Sequence, residues 1–199
     1  MKIMKPSTQK KFLQSCDVID HQQPDVLQKA QQLAAGKNDP SAIIKACFEF
    51  VRDQIKHSAD YQLNPITITA SQVLKHGTGF CYAKSHLLAA LLRANGIACG
   101  LCYQRLTITD DSPPFCLHGL NAVYLPTIGW YRIDARGNKE GVDAQFCPPQ
   151  EKLAFNLVMP GEADLRQVWH EPMPEVITAL KSHHSYEQLL ENLPDVELL

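Results

Sequence analysis

His76-Gly-Thr-Gly-Phe-Cys81-Tyr-Ala-Lys-Ser-His86-Leu-Leu-Ala-Ala-Leu-Leu-Arg-Ala-Asn95 is the stretch that decides how the chain is read. Two glycines, Gly77 and Gly79, make a loop, and Cys81 stands where the loop turns into a helix. Leu87, Leu88, Ala90, Leu91 and Leu92 then make that helix apolar around much of its girth. A helix of that kind belongs inside a domain. A thiol at a helix N-terminus meets the positive end of the dipole and several unpaired N–H groups. Both favour thiolate, the nucleophilic form. The stretch predicts a cysteine nucleophile at Cys81 on a buried helix, and the competing reading is an inert, packed thiol.

Outward from this helix, the upstream chain is helical in pattern. Pro24 suits a first helical position, Val26, Leu27, Ala30, Leu33 and Ala34 follow at helical spacing, and Gly36 ends the run. Asp39 is set to cap a second helix, whose stripe is Ile43, Ala46, Cys47, Phe50, Val51 and Ile55. Residues 57–68 read as a long connection. Thr69 or Ser71 caps a short helix stopped by Gly77, and Asn95-Gly96 closes the Cys81 helix.

Downstream the period changes. Ile97–Thr107 reads as a strand and Asp110-Asp111-Ser112-Pro113-Pro114 as a loop. Leu117–Leu125 and Trp130–Ala135 read as a hairpin, residues 137–172 as irregular, and two short helices are expected near 174–181 and 185–192. Helices followed by strands imply an α+β fold. The length of 199 residues suits one domain with its own core.

A cysteine nucleophile needs a base, and the base needs an acceptor that fixes its tautomer. Of eight histidines, His57, His76, His170, His183 and His184 lie in polar or terminal surroundings and read as solvated. His86 sits five residues beyond Cys81, about 140° around the helix, and points elsewhere. His118 opens a strand whose neighbour ends in Asp134. An acid after Ile133 on an apolar strand needs a partner. Arg132 and Arg136 are the bland candidates and His118 the functional one. Hairpin register discriminates: a four-residue loop turns His118 and Asp134 to opposite faces. A five-residue loop over 125–129, its three-residue equivalent, or a bulge puts Leu120 opposite Asp134 and His118 on the same face, diagonally. That arrangement is the expectation.

The order Cys81, His118, Asp134 resembles the transglutaminase-like superfamily of papain-type cysteine enzymes. Ala70-Ser-Gln-Val-Leu-Lys-His-Gly-Thr-Gly-Phe-Cys81-Tyr-Ala-Lys-Ser, followed by Leu92-Arg-Ala-Asn-Gly-Ile97, is similar to that family's cysteine motif. His118 and Trp130-Tyr-Arg-Ile-Asp134 match its histidine and aspartate segments, and Phe50-Val-Arg-Asp-Gln-Ile55 resembles the helix before its core. The resemblance covers about residues 40–136 of a single 1–199 domain and leaves 137–199 as an extension. It departs at Leu120, where the family often has an aromatic residue, and this puts the acyl-site wall in question.

The resemblance implies a papain-like, transglutaminase-core α+β fold, with the nucleophile helix packed on an antiparallel sheet. It implies attack by Cys81 on an amide carbonyl to form a thioester, with His118 carrying the proton and Asp134 orienting it. Hydrolysis and amide transfer both remain open, on a peptide, protein or small amide, with no cofactor and no metal. A family member that keeps the fold but serves as a catalytically inactive binding or scaffolding module is the first alternative; an accessible cleft with all three residues turned toward it would favour the enzyme, and a blocked or misoriented triad the module.

Other features carry less. Cys99-Gly-Leu-Cys102 has zinc or redox spacing, but residues three apart on a strand face opposite ways. The other six cysteines read as structural thiols, and Arg93 and Arg136 as surface or ion-pair residues. A net charge of −2 gives no electrostatic case for nucleic acid or an anionic membrane. A polar N-terminus and irregular cysteine spacing predict free thiols in the cytoplasm.

Overall fold

The computed structural model describes residues 10–109 and 112–197. A 3₁₀ turn, Lys10–Leu13, precedes helices α1 (Pro24–Ala34) and α2 (Pro40–Gln54). Pro24 opens α1, and the Asp39 carboxylate caps α2 by accepting from the Ser41 N–H at 3.2 Å. On α2 the buried face is Ile44, Cys47, Phe48 and Val51. Ile43 and Phe50 flank the core, so the stripe is rotated slightly from the one expected.

The expected connection after α2 contains structure. Strand β1 (Lys56–His57) pairs in parallel with β2 (Thr78–Gly79), and a helical turn α3 (Ser58–Tyr61) and helix α4 (Ala70–His76) lie between them. Thr69 caps α4 in a reciprocal capping box with Gln72. Gly77 ends α4 at φ +65°, a conformation glycine adopts without strain. Helix α5 (Cys81–Ala94) follows at once, and every residue from Cys81 to Arg93 is buried.

The sheet runs β5-β4-β3-β8, antiparallel throughout, from β3 (Cys99–Thr109), β4 (Ser112–Leu125), β5 (Gly129–Ile133) and β8 (Ala163–Asp164). Ser112-Pro113-Pro114, expected as loop, belongs to β4; Asp110 and Asp111 lie outside the described residues. The segment expected to be irregular also holds a small hairpin of β6 (Gln145–Cys147) and β7 (Gln150–Lys152). These strands are too short to show a period-2 pattern in sequence. Helices α6 (Pro174–Ser182) and α7 (Tyr186–Glu191) close the chain as expected.

The main core lies between α5 and the sheet, with Leu87, Leu88, Leu91, Tyr103, Leu117 and Val123 among its members. Arg93, expected at the surface or in an ion pair, is buried in it and bonded to backbone carbonyls. Its guanidinium donates to the Cys99 carbonyl at 2.8 and 3.0 Å and to the Gln14 and His170 carbonyls, each at 2.7 Å. A cation with five donors can be buried when the neighbouring backbone supplies this many acceptors. Among the described residues no helix is long and apolar enough to cross a membrane.

Candidate active site

The loop that carries Cys81 is held on both sides. The Lys56 N–H donates to the Gly77 carbonyl at 2.9 Å, and the Thr78 hydroxyl donates to the Lys56 carbonyl at 3.0 Å. The Thr67 hydroxyl donates to the Thr78 carbonyl at 2.9 Å. A Cβ on Gly79 would stand 3.0 Å from Thr67 Oγ1 and 3.1 Å from Ala83 Cβ, so the loop passes where a side chain would crowd. No side chain caps α5 at Phe80, so its first N–H groups stay available at Cys81.

The hairpin register decides which groups meet. Leu125 pairs with Gly129 and Asn121 with Ile133. The loop is thus the three-residue equivalent, and continuing the register puts Leu120 opposite Asp134. His118 and Asp134 share a face as expected: His118 Nε2 lies 2.8 Å from Asp134 Oδ2. With Nε2 committed to the carboxylate, Nδ1 is left for the sulfur: Cys81 and His118 line one cleft, and Cys81 Sγ accepts from the N–H of Gly119, the residue after His118. The three residues named from the sequence therefore converge.

Asp134 is 0% exposed. Besides His118, its carboxylate accepts from the Arg136 N–H at 3.1 Å and the Ala154 N–H at 3.0 Å. The bland partners make other pairs: Arg132 binds Glu151 and Asp164, and the Arg136 guanidinium grips Asp60 at 2.5 and 2.9 Å. Burial alone would raise the Asp134 carboxyl, but His118 and the two backbone donors hold it below its ordinary value. Burial likewise disfavours a charged His118, yet Asp134 and then Cys81 outweigh it and raise the imidazole to about 10. His118 is thus an imidazolium at neutral pH.

Several nearby groups were not legible as site residues. His57, expected in solvent, is buried against the Phe80 ring and lines the same cleft as Cys81. Burial and then Arg136 push it well below its ordinary value, and its Nδ1 has no hydrogen-bond partner among the described residues. Its neutrality leaves His118 as the protonated imidazole beside the sulfur.

Lys84, on the Cys81 face of α5, is also buried and donates to the Ile55 and Arg52 carbonyls; burial and Arg136 lower it to about 7. Gly119 donates its N–H to Cys81 Sγ at 3.4 Å. The His118-Gly119 pair was the available signal for this contact, because a glycine beside a catalytic strand residue marks close backbone approach. Leu120, the departure from the family pattern, does not line the cleft. It packs with Cys102 and Ala122 in a separate apolar cluster.

Cys99 and Cys102 face different clusters, as their spacing implied, so they share no ligand position. Burial pushes the thiols of Cys47, Cys99, Cys102 and Cys116 up to about 12. Cys147 departs from the buried pattern and is exposed.

A thiol at the start of a buried helix, facing an imidazole on an antiparallel sheet, defines the papain-like cysteine architecture. Residues 27–135 match the family model of the transglutaminase-like superfamily, and the chain belongs to that superfamily. The match starts earlier than expected, within α1. No curated protein matches.

Among solved structures, a candidate cysteine protease from Cytophaga hutchinsonii is similar at 17% identity, with a TM-score of 0.53. That match covers 67% of this chain and 43% of the other. The periplasmic domain of TgpA from Pseudomonas aeruginosa is similar at 20% identity and a TM-score of 0.51, covering 66% and 48%. The chain thus spans less than half the length of these two structures, and the likeness is one of fold.

Proposed function

We propose that the protein is a cysteine-dependent amide hydrolase or acyl transferase acting through Cys81, His118 and Asp134. The observation that carries this reading is an imidazole bonded to a buried carboxylate and lining the same cleft as a helix-start thiol. The Cys81 thiolate adds to an amide carbonyl, and the oxyanion that forms meets the uncapped N–H of Cys81. His118 delivers its proton to the nitrogen, the C–N bond breaks, the amine leaves and a thioester remains. Water or a second amine then attacks the thioester, His118 takes the proton, and the C–S bond breaks to return the thiolate. Water gives hydrolysis and an amine gives transfer. Asp134 keeps Nε2–H engaged, so Nδ1 always faces the sulfur.

An open cleft at Cys81 and His118 supports an enzyme over an inactive binding module. The test is limiting iodoacetamide across pH 5–9, with the labelled cysteine mapped by mass spectrometry. The reading requires preferential labelling of Cys81 at low pH, lost in His118→Ala. Equal labelling of several cysteines with an ordinary thiol profile refutes it.

A further inference from the structure

The cleft above Cys81 has a volume of about 640 Å³, more than the reacting amide alone needs. Its lining includes Leu106 and Ile108 of β3 and Val158, Met159, Leu190 and Leu193 of the C-terminal extension. Three of these are large apolar side chains left in water: Val158 is 78% exposed, Ile108 45% and Leu190 43%. Apolar residues gathered at the mouth of one concave site, rather than scattered, mark a surface that a ligand covers.

Beside these apolar residues the lining carries one charge, the Glu162 carboxylate, and the protein's own donors engage it. The Glu162 carboxylate is engaged by the N–H groups of Thr107, Val158 and Met159 at 2.8–3.0 Å. These bonds tie the Val158 loop to β3, so the apolar residues of the two segments are positioned before anything binds. The cations Arg136 and Lys139 lie on the other part of the lining, paired with Asp60.

Resting on the cysteine chemistry proposed above, we propose that the cleft selects an amide substrate with a bulky apolar group beside the reacting carbonyl. That group lies between β3 and residues 158–193 and covers Ile108, Val158 and Leu190. Residues beyond the family-matched core then serve as the specificity wall.

The experiment compares two peptidyl acyloxymethyl ketones with the same warhead, one with leucine next to it and one with glycine. Cys81 modification is followed by mass spectrometry, with iodoacetamide as the reagent that ignores shape. The leucine probe is expected to react about 10- to 100-fold faster, as burial of one such side chain allows. The ratio is expected to fall toward one in Val158→Glu and Leu190→Glu, whose exposed positions tolerate substitution.

Equal rates for the two probes, with iodoacetamide still choosing Cys81, overturn the apolar selection and leave the cysteine chemistry standing. If iodoacetamide does not choose Cys81, that chemistry fails, and an NMR titration decides the cleft by itself. There, Cys81→Ala protein is titrated with unreactive peptide amides carrying leucine or glycine. At least tenfold tighter binding of the leucine peptide upholds the apolar cleft, and equal binding overturns it.

Discussion

Gly119→Ala is the sharpest test of how closely the sheet must approach the nucleophile helix. A Cβ at residue 119 would stand 2.9 Å from Tyr82 Cδ1, 3.1 Å from Tyr82 Cα and 3.2 Å from Tyr82 N. Two of these are backbone atoms in the first turn of α5. The ring cannot swing aside, because Tyr82 is buried and its hydroxyl donates to the Leu117 carbonyl. β4 must therefore back away from α5 by a few tenths of an ångström, enough to restore ordinary contact distances. Overpacking of this kind costs about 1–3 kcal/mol. In a chain of this length that is a melting-temperature loss of roughly 2–12 °C.

The same displacement loosens the Gly119 N–H contact to Cys81 Sγ and moves His118, the preceding residue, away from the sulfur. A misplacement of a full ~1 Å costs about 100-fold, so a shift of a few tenths of an ångström lowers Cys81 reactivity at low pH by roughly 2- to 5-fold. Circular dichroism melts and the iodoacetamide profile of Cys81 read the two effects separately. A variant that melts within about 1 °C of the parent and labels Cys81 equally fast would show that the close approach is not required.

Three further outcomes follow from buried charge. Asp134→Asn leaves the three donors at residue 134 facing an amide, so His118 returns toward its ordinary value and low-pH labelling of Cys81 is lost; unchanged labelling would sink the positioning role. The alkaline stability profile tests two opposed titrations. His118, raised to about 10, contributes stability below its unfolded value of 6.5 that is lost as pH rises to 10. Lys84, lowered to about 7, carries a penalty below 7 that is relieved as pH rises toward its unfolded value of 10.5. Each has a slope of at most about 1.4 kcal/mol per pH unit, with opposite sign. Melting temperature should therefore stay nearly level from pH 7 to 8 in the parent, below the range where the buried thiols ionise on unfolding, and fall over that interval in Lys84→Met; parallel profiles would contradict this. Arg93→Met strands the Cys99, Gln14 and His170 carbonyls and should cost about 3–5 kcal/mol by urea unfolding, whereas a surface arginine would cost less than 1.

Legibility in the sequence followed the physical range of each signal. The Cys81 helix was readable because its burial is written on all sides, and the hairpin because two-residue alternation fixes register. Register in turn put His118 and Asp134 on one face. His57 and Arg93 were misread because polarity along the chain does not reveal that a folded backbone can absorb a buried ring or guanidinium. β1 and β2, two residues each, exist only because distant segments meet. Residues 137–172 gave no periodic signal, yet they supply what the core lacks. Ala154 donates the third hydrogen bond to Asp134, and the Phe155 ring packs edge-on against His118 at 5.0 Å.

That dependence ties the extension to the site's electrostatics as well as to its shape. The family-matched segment brings sulfur, imidazole and carboxylate together but ends at residue 135, before two donors that keep Asp134 ionised, the N–H groups of Arg136 and Ala154, and one ring that shields His118. An ion pair shut off from water is stronger than the same pair left wet, and a buried carboxylate short of one donor is easier to protonate. Part of the wall that would choose the substrate, Val158 and Met159, and part of what sets the charge state of the pair, Ala154 and Phe155, therefore lie on one continuous segment. A change in the Val158 loop that drags on Ala154 would alter both together, and a change confined to the Val158 side chain would alter selection alone.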